Sequence, residues 1–274
     1  MMKLTPEQID FFETFGFLKF PGLMADSIGW ITEEFTRTFD GNSTITPHDG
    51  TKRSCIFPFI DQREKMNTLL DDPRIEGIGA TFAGEDFNYM GSDGNYYSGE
   101  TGWHRDGYHR KYRHIKIAFY LDKLDGNSGA LRVIPGSHRL DDRFGTDLHQ
   151  KTHQSQTAWG ITGDQVPSFA IDVEPGDILV FDHNLFHSSF KGGPNRRMFT
   201  INLCERYRDE DLQELRDYLS GHARFWIDRN YSETMMATAT PGRMKHLEQV
   251  MANDGHLAAL SAELRKTMAE PSRG

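Results

Sequence analysis

Cysteine is the scarcest informative residue in this 274-residue sequence: Cys55 and Cys204 stand alone. Two thiols exclude a disulfide framework and a cysteine-based zinc site, and they predict a reducing, cytoplasmic setting in which both are buried. Also missing is an apolar run of the roughly 20 residues needed to cross a bilayer, in keeping with a mean hydropathy of −0.61. The opening Met1-Met2-Lys3-Leu4-Thr5-Pro6 has no secretory apolar stretch, so neither export nor a membrane partner is expected. Positive charge is in deficit as well. A formal charge of −9 argues against a general nucleic-acid binder, which needs a clustered basic surface.

What is present is enough apolar material for a sizeable core, 37% hydrophobic and 12% aromatic, and the length suits one domain over residues 1–274, monomeric or homodimeric. Thr5-Pro6-Glu7-Gln8 combines an N-cap hydroxyl, a proline at the first helical position and a capping-box glutamine, so a helix should run to Gly16. Phe17–Phe20 reads as a strand, and Ile31, Phe35 and Phe39 at four-residue spacing read as a helix over about 27–39. The stretch 41–58 loses all periodicity and is expected to be a loop covering one mouth of the domain, followed by a helix over 62–70. From Asp86 the period changes to two, with strands around Phe87, Tyr89, Tyr96 and Tyr97, then 114–121, 130–134, 168–173, 178–182 and 197–204. Residues 140–166 look irregular, and 209–218 and 242–268 look helical, set to cover the outer face or to form a dimer contact. Short strands between Gly/Pro turns, with helices at the ends, predict a mainly β, α+β fold: an antiparallel double-sheet barrel of the jelly-roll type with helical additions.

The chemistry centres on Trp103-His104-Arg105-Asp106-Gly107. On a strand, His104 and Asp106 point to one face and can hold a metal ion from one side, with His187 completing a set of two imidazoles and one carboxylate. His-x-Asp alone is a weak signal among 12 histidines and 40 acidic residues. Its context is stronger: Tyr120-Leu121-Asp122, then Gly126-Asn127-Ser128-Gly129-Ala130-Leu131, then Ile134-Pro135-Gly136-Ser137-His138.

This ordered set, together with Leu4–Gln8 and Phe15–Leu18, resembles the phytanoyl-CoA dioxygenase family of Fe(II)/2-oxoglutarate oxygenases from about Leu4 to Tyr207. The resemblance implies a double-stranded β-helix of cupin-like form, Fe(II), 2-oxoglutarate as co-substrate and O2, and hydroxylation of a C–H bond of a small molecule. It selects His187 over His183 as the distal ligand, because Gly176-Asp177 through Phe181 and His187-Ser188-Ser189 follow the family's segment. It places a 2-oxoglutarate clamp at Arg196, four residues before Thr200, or at Arg197. Thr101, Lys116 and Ser189 are candidates for co-substrate contacts, Asn95 and Tyr97 for either co-substrate or prime substrate, while Trp103 and His138 read as structural. Aspartate at position 106, in place of glycine or alanine, points to hydroxylation and not halogenation.

Two other readings stay open: a jelly-roll binding protein without turnover, and a cupin-type metalloenzyme that uses no keto acid. The basic run Arg105, His109, Arg110, Lys111, Arg113 and His114 is either a solvated loop or, through Arg105 and His109, a contact for an anionic substrate such as a carboxylate, phosphonate or acyl-CoA.

Overall fold

The computed structural model describes residues 1–42 and 47–274. The chain enters through a helix at Pro6–Phe15, where the Thr5 hydroxyl accepts from Gln8 N and the Gln8 side chain accepts from Thr5 N. Gly16 ends it at φ 81°. A Cβ there would sit 2.5 Å from His138 Nδ1, so only glycine lets the Pro-Gly-Ser-His turn pack against this helix end. His138 is therefore part of the scaffold.

Among the described residues, eleven strands follow in two antiparallel sheets. They are β1 (Phe17–Phe20), β2 (Ser54–Ile56), β3 (Asn88–Gly91), β4 (Gly94–Tyr97), β5 (Thr101–His104), β6 (His114–Tyr120), β7 (Leu131–Val133), β8 (Phe169–Ala170), β9 (Ile178–Asp182), β10 (His187–Ser189) and β11 (Arg196–Cys204). The larger sheet runs β1-β9-β6-β11-β4-β2, with β3 also on β11, and the smaller runs β5-β10-β7-β8. This is the expected jelly roll with helical additions.

Alternation along the two central strands explains the layering. Ile115, Ile117 and Phe119 of β6 and Phe199, Ile201 and Leu203 of β11 face outward into the main core, where the helices Pro6–Phe15, Ile28–Asp40 and Pro73–Ala83 cover them. Lys116 and Tyr120 of β6, and Arg196, Met198, Thr200 and Asn202 of β11, face inward and line the interior cavity. Each large apolar side chain buried this way contributes about 1.5–3 kcal/mol, so the pattern that builds the core also fixes which residues reach the site.

Several segments depart from expectation. The region 41–58, whose residues 43–46 lie outside the described residues, contains β2, because Ser54–Ile56 pairs with β4. Residues 140–166 carry helices at Arg143–His153 and Ser155–Trp159. The predicted strand at 168–173 shrinks to Phe169–Ala170, with Val173 making one isolated bridge to Leu124. The expected helix over 242–268 is broken into Pro241–Met244, Glu248–Asn253 and Leu257–Thr267, since Asp254-Gly255 interrupts it. No helix among the described residues is long and apolar enough to cross a membrane.

Candidate active site

Adjacent antiparallel strands of the smaller sheet bring His104, at the end of β5, directly opposite His187, at the start of β10. Their ring centroids are 4.2 Å apart. Each ring is oriented by its own backbone: His104 Nδ1 is 2.8 Å from Gly102 O and His187 Nδ1 is 2.9 Å from Leu185 O. With Nδ1–H donating to a carbonyl, the lone pair sits on Nε2, the arrangement that metal-binding histidines use. Both Nε2 atoms face Asp106, His104 at 3.9 Å from Oδ1 and His187 at 3.6 Å from Oδ2. The Asp106 backbone is tied down by its own N–H, which donates to His183 O at 3.0 Å.

The charge state suits a cation. Burial alone would raise the Asp106 pKa, but the Lys116 ammonium, 2.9 Å from Oδ2, and the imidazoles of His187, His183 and His104 hold it well below the usual carboxylate range. Burial, followed by the neighbouring His104, pushes His187 down to about 3, so its imidazole is neutral. Burial also opposes the charge on Lys116, yet Asp106 and Asp93 keep it charged and raise its pKa. Among the described residues, two histidines and a carboxylate with ligand atoms within 4.8 Å of one another fit a divalent metal with an open face.

A second histidine cluster, His109, His114 and His183, meets the same distance criterion. His109 lies flat on His114, with centroids 3.6 Å apart and rings within 7° of parallel. Their in-plane lone pairs therefore run side by side and do not close on one ion. The set reads as a buried imidazole stack, with His114 Nε2 2.9 Å from the Tyr207 hydroxyl.

The triad opens into a cavity of about 520 Å³. Arg196 is 8% exposed and enters it; its Nη1 donates to Gly129 O and to Ser189 Oγ, both at 2.8 Å, and its Nη2 to Gly99 O at 2.5 Å. Among the described residues Nε has no partner, which leaves the Nε/Nη2 edge unsaturated for a planar anion. Gly129 makes room for this: at φ 95° a Cβ would lie 2.6 Å from Arg196 Nη1. Arg197 points the other way, its Nη2 2.7 Å from Asp122 Oδ1 on the outer surface.

Of the other residues singled out in the sequence, Thr101, Lys116, Ser189, Tyr97 and Arg105 line the cavity, whereas Asn95 and His109 do not. Asn95 is buried behind it, accepting from Arg53 Nε and donating to Asp93 Oδ2; His109 is held in its stack. The basic run is largely neutralised outside the cavity, with Arg110 on Asp141, Lys111 on Asp211 and Arg113 on Glu13. Sequence reasoning missed Arg53, Phe57, Asp93, Tyr218, Arg224 and Phe225, all of which line the cavity. Arg53 and Phe57 come from the segment read as a loop and Tyr218 from a helix read as an outer cover, while Asp93, Arg224 and Phe225 lie outside those readings, and no local motif marks any of them.

The family model described as phytanoyl-CoA dioxygenase (PhyH) matches residues 12–198. The chain is 23% identical over 172 residues to the ectoine dioxygenase of Sphingopyxis alaskensis, an alignment covering 55% of this chain and 56% of that protein, so it spans little more than half of that relative's length. Among solved structures, the apoform of EctD from S. alaskensis superposes with a TM-score of 0.58 at 22% identity, covering 74% of this chain and 77% of that one. HygX from Streptomyces hygroscopicus, solved with nickel and 2-oxoglutarate bound, gives 0.57 at 16% identity over 75% and 89% of the two chains. At these identities the superpositions establish the fold.

Proposed function

Because this chain belongs to the phytanoyl-CoA dioxygenase (PhyH) family, we propose that it is an Fe(II)- and 2-oxoglutarate-dependent dioxygenase that hydroxylates a C–H bond of a small-molecule substrate. The observation that carries this reading is the convergence of His104 Nε2, His187 Nε2 and the Asp106 carboxylate beside an arginine whose Nε/Nη2 edge is unsaturated. Iron and 2-oxoglutarate, bound together, supply oxidative decarboxylation to succinate and CO2 coupled to O2-dependent attack on a C–H bond.

The protein's own residues do the positioning. His104, Asp106 and His187 would hold the metal. Arg196 would take the distal carboxylate of 2-oxoglutarate, which a planar guanidinium fits better than an ammonium. Ser189 orients Arg196 through its hydroxyl, and Lys116 fixes the free edge of Asp106. Trp103, Tyr120 and Phe181 wall the cavity and limit water near the reacting groups.

Anaerobic addition of Fe(II) and 2-oxoglutarate should produce a weak visible metal-to-ligand charge-transfer band, and the band should vanish in His104→Ala. A protein that shows no band, or a variant that keeps it, would end this reading. Succinate formation without added substrate separates the enzyme from a non-catalytic jelly-roll binding protein.

A further inference from the structure

The cavity has a second end that neither the metal ligands nor Arg196 occupies. Its wall is made by Arg53 and Phe57, flanking β2, and by Arg224 and Phe225 from the 3-10 helix Gly221–Phe225. Phe57 and Phe225 stack with centroids 4.7 Å apart at 20°. The Arg224 guanidinium lies 4.7 Å from the Phe225 ring and that of Arg53 lies 4.4 Å from the Tyr97 ring.

Arg53 is held in place, with Nε donating to Asn95 Oδ1 at 2.9 Å and Nη2 3.6 Å from Asp93 Oδ2. Asp93 is shared, because it also accepts from Asn95 and Thr200. Among the described residues, Arg224 has no carboxylate at ion-pair distance. The backbones of both arginines are pinned at the mouth, where Ser272 N donates to Arg224 O and Arg273 Nη1 to Arg53 O, each at 2.9 Å.

The charge balance of the cavity sets the sign of what belongs there. Among the described residues, five Arg and Lys side chains line it against two side-chain carboxylates, Asp93 and Asp106, a surplus of three positive side-chain charges in a chain of net charge −9, with Gly274 also on the wall against the Arg53 guanidinium. A divalent metal and a dianionic co-substrate cancel each other and leave that surplus standing. Low-dielectric walls strengthen its field on any ligand that enters.

Resting on the 2-oxoglutarate reading of the same cavity, we propose that the prime substrate is a small organic anion: its carboxylate or phosphonate head seats between Arg53 and Arg224, and its apolar segment lies along the Phe57–Phe225 stack. A cationic substrate meets net repulsion at this mouth, and a neutral one offers Arg224 no carboxylate partner.

The test uses the full-length protein loaded anaerobically with Fe(II) and 2-oxoglutarate, and four probes of one skeleton: 4-phenylbutyrate, 4-phenylbutylphosphonate, 4-phenylbutyramide and 4-phenylbutylamine. The readout is the dissociation constant obtained from the shift of the charge-transfer band. At least one acid should bind about tenfold or more tighter than the amide, a margin set by a charge-assisted pair in place of a neutral contact, and the amine should not bind. The order of the two acids distinguishes a carboxylate site from a phosphonate site. Arg224 is exposed, so its variants should fold: Arg224→Ala should weaken the tighter acid about fivefold, Arg224→Lys should retain most of the affinity, and Arg224→Glu should abolish the preference for anions. An amide or amine that binds as tightly as the acids, or no binding by either acid, overturns the proposal. The band in the substrate-free complex reports separately on the 2-oxoglutarate reading, so the two failures are distinguishable.

Discussion

Replacing Arg196 with alanine isolates the co-substrate clamp from the metal site. The guanidinium is 8% exposed and held by Gly129 O, Ser189 Oγ and Gly99 O, so it arrives at the carboxylate with little rotamer freedom left to lose. Deleting one partner of such a desolvated charge-assisted pair costs about 2–4 kcal/mol. At about 1.4 kcal/mol per decade, the KM for 2-oxoglutarate should rise at least about 30-fold. Succinate formation measured against 2-oxoglutarate at saturating iron reads this directly, and iron content should hold because no ligand is touched. Arg197→Ala is the matched control. It breaks only a partly exposed pair with Asp122, with relative side-chain accessibilities of 30% and 28%, which costs about 0–1 kcal/mol of stability and leaves the KM within about twofold. If Arg196→Ala kept the wild-type KM, the carboxylate would have to sit elsewhere and the 2-oxoglutarate reading would lose its anchor.

Gly129→Ala should imitate part of that loss, since the added Cβ meets Arg196 Nη1 at 2.6 Å from a backbone at φ 95°; strain of about 1–3 kcal/mol is expected, read as a lower melting temperature together with a raised KM for 2-oxoglutarate. Ile117→Ala, fully buried on the outer face of β6, should cost about 2–5 kcal/mol in denaturant unfolding without altering that KM. Asp61 gives a pH signature. Burial pushes its pKa up to about 7, against the opposing hydrogen bond from Tyr89, so the folded state binds a proton that the unfolded state has released. Stability should therefore fall as pH rises from about 4 to 7 and level off above, by at most about 4 kcal/mol; Asp61→Asn should flatten that slope, and an unchanged slope in the variant would exclude Asp61 as its source.

The parts of the molecule legible in the sequence are those written in local, repeating chemistry. Thr5 and Gln8 announce a helix start because a capping box involves residues three apart, and the alternation in 114–120 and 196–204 announces strands because one face is buried. The His104–Asp106 pair was legible from its spacing and the motifs around it, although β5 ends at His104 and Asp106 lies just beyond the strand. What stayed hidden depends on contacts distant in the chain. Arg53 and Arg224 meet one cavity from positions 171 residues apart, and nothing near either marks it as cavity-lining. Asn95 was read as a contact for the co-substrate or the prime substrate, yet it serves as the brace behind Arg53. The basic run 105–114 stayed open between a solvated loop and a substrate contact until the partners Asp141, Asp211 and Glu13, all remote in sequence, were in place, with Arg105 alone of its candidates reaching the cavity.

The placement of the triad across the fold has a mechanical consequence. His104 and His187 belong to the four-stranded sheet, whereas Asp106 hangs by its backbone N–H from His183, just beyond β9 of the seven-stranded sheet. An ion gripped by all three is a rivet through the seam between the sheets. The short strands β5 and β10, with few ladder bonds of their own, should then breathe in the metal-free protein and tighten on loading. Slower amide hydrogen exchange at Trp103, His104 and Ser188, with the amides of β6 and β11 unaffected, would register that closure before any turnover takes place.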